Sequence, residues 1–132
     1  MCPLRIAQLG TTVAGKVISI VEDDASMREA LVGFVRSLGY GARGFSSAEA
    51  YLAVRDNQCA CVITDIELPG IDGLAMMAEL KALGYEIPVI VITARGTIAS
   101  EVAARSGGAL CYLTKPFEMA ALIDCLDRAL AA

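Results

Sequence analysis

A chain of 132 residues with a formal charge of −4 and a 56 % hydrophobic composition is long enough to bury one core and too apolar to stay disordered. No apolar stretch reaches the ~18–20 residues that a membrane-spanning helix needs, and no run of Lys or Arg offers the electrostatic footprint of a phosphate-backbone binder, so the expectation is a soluble domain with no membrane and no direct nucleic-acid partner. Five cysteines, Cys2, Cys59, Cys61, Cys111 and Cys125, with no C-x-x-C and no histidine in the chain, argue against a zinc site and for reduced, buried thiols in the cytoplasm.

Met1 to Gly15 lack a basic segment leading into an unbroken apolar core and a small-residue cleavage site, and read as a short N-terminal extension to one domain over 16–132. Val17–Val21 is the first apolar run, ending in Glu22-Asp23-Asp24. Asp24 or Ser26 then caps a helix whose buried stripe is Met27, Ala30, Leu31, Phe34, Val35 and Leu38, stopped by Gly39. Gly41–Phe45 follows as a second strand and Ser47–Val54 as a helix; Ala60–Thr64 is a third strand leading into Asp65, with a helix over Gly73–Leu83 closed by Gly84. Pro88–Ile92 runs into Thr93, Thr97–Ser106 is a helix stopped by Gly107, and Ala109–Leu113 leads to Lys115-Pro116 before a last helical stripe of Met119, Leu122, Ile123, Leu126 and Leu130. All the strand runs but the second are nearly continuous rather than alternating, which predicts cover on both faces. The order is (βα)₅: an α/β, doubly wound parallel sheet with right-handed crossovers, and no second domain is expected within these residues.

In open α/β sheets the functional crevice lies beyond the carboxyl ends of the strands, where strand order reverses. In the flavodoxin-like order 2-1-3-4-5 the second strand is an edge, and its end offers nothing ionisable. The other four ends are neighbours, so Glu22, Asp23 and Asp24, then Asp65, Thr93 and Lys115 converge. Gathered carboxylates repel, by roughly 4 kcal/mol for two charges ~4 Å apart at an effective dielectric near 20, and call for a cation. Hard oxygen donors suit Mg²⁺, which binds through one or two carboxylates and takes other ligands from water and phosphate. A carboxylate is also a covalent nucleophile for phosphoryl groups. Asp65, alone at the central strand, is the nucleophile this pattern selects, with Lys115 as a second positive charge and Thr93 as a hydroxyl donor to the new phosphoryl oxygen. Singly, each has an ordinary role: Asp24 and Asp65 as caps or turn residues, Thr93 as strand filler, Lys115 as a solvated charge. Four matched types at four successive strand ends favour the functional reading.

The segments V-I-S-I-V-E-D-D, C-V-I-T-D-I-E-L-P-G-I-D-G-L, I-P-V-I-V-I-T-A and C-Y-L-T-K-P-F make the stretch from Lys16 to Ala131 resemble the response-regulator receiver domains of bacterial two-component signalling. D-I-E-L-P-G-I-D-G and the T-A-R-G loop bring it closest to receivers of the nitrogen-fixation and nitrate-regulator type. The resemblance implies a signalling domain that catalyses its own phosphoryl transfer and slow autodephosphorylation. It implies Asp65 as phosphoacceptor, Asp23 on Mg²⁺ directly, Glu22 through water and the backbone carbonyl of Glu67 completing the metal site. Thr93 becomes the switch hydroxyl, Tyr112 the rotating aromatic, Lys115 the phosphoryl contact, and Lys115-Pro116 a cis peptide. It further implies a histidine kinase or phosphotransfer protein as partner and a homodimer through the face made by the fourth helix, fifth strand and fifth helix. Glu67 and Arg95 stand two residues beyond Asp65 and Thr93, where they would overhang the crevice, govern water access to the acyl phosphate, and could pair with each other. The chain departs from the family pattern in its Glu-Asp pair and in Ser106-Gly107-Gly108, expected to loosen the turn before the fifth strand. A flavodoxin-like cofactor binder would need a Gly/Ser/Thr phosphate loop where Glu22-Asp23-Asp24 stands, and a haloacid-dehalogenase-type phosphatase a D-x-D after its first strand. A phosphorylation-independent interaction module is the stronger rival.

Overall fold

The computed structural model describes residues 16–54 and 59–131; the expected N-terminal extension, Cys2 and Ala132 lie outside the described residues. Strands and helices alternate throughout: β1 Val17–Val21, α1 Ala25–Ser37, β2 Gly41–Phe45, α2 Ala48–Val54, β3 Cys59–Asp65, α3 Gly73–Ala82, β4 Val89–Thr93, α4 Ile98–Ser106, β5 Cys111–Thr114 and α5 Met119–Ala129. All strand pairs are parallel, in the order β2-β1-β3-β4-β5.

The continuous apolar runs have the physical cause expected of them. Ile18, Ile20, Cys61, Ile63, Ile90 and Ile92 face one layer, packed with Leu31 and Val35 of α1 and Leu122, Cys125 and Leu126 of α5. Val21, Val62, Val89 and Val91 face the other, against Tyr51 of α2, Met76, Met77 and Leu80 of α3 and Ala104 of α4. Helices thus cover both faces of the sheet, so successive strand residues are apolar whichever way they point. The edge strand β2 keeps Arg43 and Gly44 exposed, which is why its sequence reads less uniformly. Cys59, Cys61, Cys111 and Cys125 are buried free thiols, and burial pushes the Cys61 thiol pKa far up, away from reactivity. No helix among the described residues is long and apolar enough to cross a membrane.

Element ends depart slightly from the sequence reading. Ser47 precedes α2 instead of opening it, its Oγ accepting from Ala50 N at 3.0 Å as a cap. The turn after α4 is not loosened by its two glycines. Gly107 is an ordinary helical C-cap, and Gly108 takes the left-handed φ of +103°. From there Gly108 N–H reaches Arg105 O at 3.1 Å and Ala109 N–H reaches Ala104 O at 3.0 Å, the paired bonds of a Schellman closure. Because Ala109 turns back to close the helix, β5 begins at Cys111 rather than Ala109. Gly84 ends α3 in the same way, with Tyr85 N–H on Leu80 O.

Candidate functional site

Register sets the crevice. Val21 lies opposite Thr64, Asp65 opposite Ile92, and Thr93 opposite Thr114, so Glu22, Asp65, Thr93 and Lys115 sit side by side where the strands end. Parallel pairing makes this automatic once the order is fixed.

The three acids beyond β1 take different directions. Glu22 turns inward and is 1 % exposed. Its Oε1 accepts from Lys115 Nζ at 2.8 Å and its Oε2 from Asp24 N–H at 3.1 Å. Asp23 stays exposed at the mouth, and Asp24 caps α1, its Oδ1 accepting from Met27 N–H at 3.0 Å. Asp65 is 4 % exposed; Oδ2 accepts from Lys115 Nζ at 2.9 Å and Oδ1 from Glu67 N–H at 3.1 Å. Carboxylate oxygens of Glu22, Asp23 and Asp65 all lie within 4.8 Å of one another.

Such a cluster is electrostatically uneven. Burial raises the Glu22 pKa above its ordinary value, although the Lys115 hydrogen bond and the Asp24 N–H oppose that rise. Burial alone would lower the Lys115 pKa, but the hydrogen bonds and negative charges of Asp65 and Glu22 outweigh it and hold the ammonium above the usual lysine range. One cation thus serves two nearly dry carboxylates, and among the described residues no ion pair reaches the third acid, Asp23. Hard oxygen donors with surplus negative charge fit Mg²⁺ in the residues present.

Thr93 is fully buried. Its hydroxyl donates to Glu67 Oε1 at 2.8 Å and accepts from Arg95 N–H at 3.1 Å. Glu67 therefore does not pair with Arg95: among the described residues its carboxylate takes the Thr93 hydroxyl, which the loop brings closer than the guanidinium. Half-buried Tyr112 lies opposite Val91 on β4 and packs against the apolar layer on that face of the sheet, and its hydroxyl hydrogen-bonds Ser100 Oγ on α4. Lys115-Pro116 is cis, as the resemblance implied, and Lys115 N–H donates to Thr93 O at 2.8 Å.

Two supports escaped the sequence reading. Arg28 of α1 donates through Nη1 to Glu22 O at 2.9 Å, and nothing in the sequence marks that arginine from other polar residues of its helix. Gly73 lies against the Asp65 carbonyl so closely that a Cβ would collide with it. Asp72 caps α3 beside it, accepting from Ala75 N–H at 2.8 Å; an Asp-Gly pair ahead of an apolar run was the available signal.

By sequence, residues 18–127 match the family described as response regulator receiver domain. Relatives include the response regulator protein TodT of Pseudomonas putida, 40 % identical over 115 residues that cover 86 % of this chain and 51 % of TodT. Nodulation protein W of Bradyrhizobium diazoefficiens is 39 % identical over 114 residues, covering 86 % and 50 %. The chain spans about half the length of the curated relatives it matches. Among solved structures, FixJ-N superposes with a TM-score of 0.80 at 31 % identity, over 87 % of this chain and 93 % of that one.

Proposed function

The chain belongs to the response regulator receiver domains of two-component signalling, and from that premise we propose that Asp65 is its phosphoacceptor in a Mg²⁺-dependent transfer from a histidine kinase or phosphotransfer protein. The observation that carries the reading is the meeting of Glu22, Asp23 and Asp65 within 4.8 Å around the Lys115 ammonium, which bonds two of them. In this reading Asp23, Asp65 and the Glu67 backbone carbonyl would hold Mg²⁺, with Glu22 reaching it through water, and the bound ion would supply charge neutralisation at the phosphoryl oxygens.

In this reading the physiological donor is a phosphohistidine carried by the partner kinase or phosphotransfer protein. An Asp65 carboxylate oxygen attacks phosphorus in line, the O–P bond forms as the N–P bond breaks, and the imidazole leaves with its electron pair. Lys115 stays with Asp65 and meets the phosphoryl oxygens. Thr93 then exchanges Glu67 Oε1 for a phosphoryl oxygen, so the drive is the difference between two charge-assisted bonds, each worth roughly 1.5–3 kcal/mol. Tyr112, released from Ser100, fills the space vacated. A tenfold shift of a two-state equilibrium takes a difference of only about 1.4 kcal/mol, and the state so favoured would form a homodimer through α4, β5 and α5.

Incubation of the chain with acetyl phosphate and Mg²⁺, followed by intact-mass measurement, tests the reading. One phosphoryl group is expected on the wild type, none on Asp65→Asn, and none after chelation of the metal. Failure of the wild type to gain mass would return the chain to the phosphorylation-independent interaction module.

A further inference from the structure

The connection from β3 to α3 carries Glu67, whose carboxylate receives the Thr93 hydroxyl and whose carbonyl the reading above gives to the metal. Both ends of this loop are tied down. Ile66 N–H donates to Ile92 O at 3.3 Å and Gly73 N–H to Ile66 O at 2.9 Å, Glu67 N–H donates to Asp65 Oδ1, and Asp72 caps α3. Along 68–71, among the described residues, the hydrogen bond that reaches another element runs from Ile71 N–H to Glu49 Oε2 at 3.0 Å. Glu49 stands in the first turn of α2, 22 positions away.

The loop is shaped around that carboxylate. Gly70 has a φ of +76°, and a Cβ at this position would collide with Glu49 Oε2. An exposed glutamate in a first helical turn ordinarily serves only the helix dipole. Here the Ile71 N–H, and after it the residue's own N–H, hold the Glu49 pKa below the usual carboxylate value, as expected when the ionised oxygen is the acceptor.

We propose that Glu49 is a positioning residue for the phosphorylation site: by gripping Ile71 N–H it fixes the path of residues 68–71, and through them the orientation of the Glu67 carbonyl toward Mg²⁺ and of the Glu67 carboxylate toward Thr93. The inference rests on the proposed phosphoacceptor reading and adds a residue from an element that reaches none of the reacting atoms. Groups that orient a metal's ligands cost about 10- to 100-fold in affinity when removed, and a grip several residues from the ligand belongs at the low end.

Amide-resolved NMR titration of the full chain with Mg²⁺ tests this, comparing wild type, Glu49→Ala and Glu49→Gln. Glu49→Ala is expected to weaken the apparent Kd for Mg²⁺ about tenfold and to speed hydrogen exchange at Ile71. It should slow acetyl-phosphate uptake at sub-saturating Mg²⁺ while saturating Mg²⁺ restores the rate. Glu49→Gln keeps an acceptor oxygen and should recover most of the affinity; Glu49→Ser, too short to reach Ile71 N–H, serves as the second probe should the alanine variant not fold. An unchanged Kd in Glu49→Ala, or in Glu49→Ser where the alanine variant does not fold, with only the melting temperature lowered, overturns the proposal. The two readings fail separately: a wild type that binds Mg²⁺ but gains no phosphoryl group sinks the phosphoacceptor assignment, while the titrations still decide the role of Glu49.

Discussion

Lys115 spans two carboxylates that water scarcely reaches, Glu22 and Asp65, and the balance between its attraction and their desolvation sets the pH response of the crevice. Burial is the leading cause of the raised Glu22 pKa, so the folded chain binds that proton more tightly than the unfolded chain does. The ionised carboxylate therefore subtracts stability at neutral pH, and the penalty fades as pH falls through the folded-state pKa toward the unfolded value. Urea unfolding of wild type and Glu22→Gln without divalent cations should reveal this: the stability of the glutamine variant relative to wild type is expected to fall as pH is lowered from 7 toward the ordinary glutamate value of 4.5, and a constant difference would contradict it. The positions of Glu22, Asp65, Thr93 and Lys115 could be read from the sequence because each directly follows or ends a strand, where backbone register alone determines place. The partner of Glu67 could not. Sequence spacing allowed Arg95, whereas the course of the loop delivers the carboxylate to Thr93 Oγ1. Arg28 and Glu49 were hidden for the same reason, since their partners are backbone groups that only tertiary structure brings near.

Among the helices, legibility follows how much of each is buried. In α1 and α5 a clear apolar stripe packs onto the sheet. In α4 only Ala104 is fully buried, so its periodicity is faint; its start is fixed instead by the reciprocal hydrogen bonds of Thr97 and Ser100. The glycines at helix ends act through different physics and should fail differently when replaced. Gly84 holds a φ of +87° with nothing within 4 Å of a would-be Cβ, so Gly84→Ala should cost about 1–2 kcal/mol of backbone strain and leave phosphoryl uptake unchanged. Gly73→Ala drives a methyl group into the Asp65 carbonyl and should reduce both stability and uptake. Denaturant melts paired with intact-mass assays of the two variants check the contrast; equal effects on uptake would show that the Gly73 contact does not reach the site.

The whole architecture was legible because strict alternation of strand and helix admits few topologies, and the continuous strand runs required cover on both sheet faces. Surface assembly was less so, because exposure is decided by what is left unpacked. On α4, Ile98 is 84 % and Val102 59 % exposed, beside the Ser100–Tyr112 hydrogen bond that the proposed switch would break. Sedimentation of the chain after treatment with acetyl phosphate and Mg²⁺ is expected to move toward a dimer, and Ile98→Lys to stay monomeric while still accepting the phosphoryl group; dimerisation undisturbed in Ile98→Lys would place the contact elsewhere. The acid crevice also carries an asymmetry of supply. Glu22, Asp23 and Asp65 face Lys115 with two negative charges in excess, inside a molecule of formal charge −4. In the proposed transfer the phosphoryl donor, itself anionic, would be turned away until a divalent ion had cancelled that excess. Arrival would thereby be sequenced, ion before donor, by field alone.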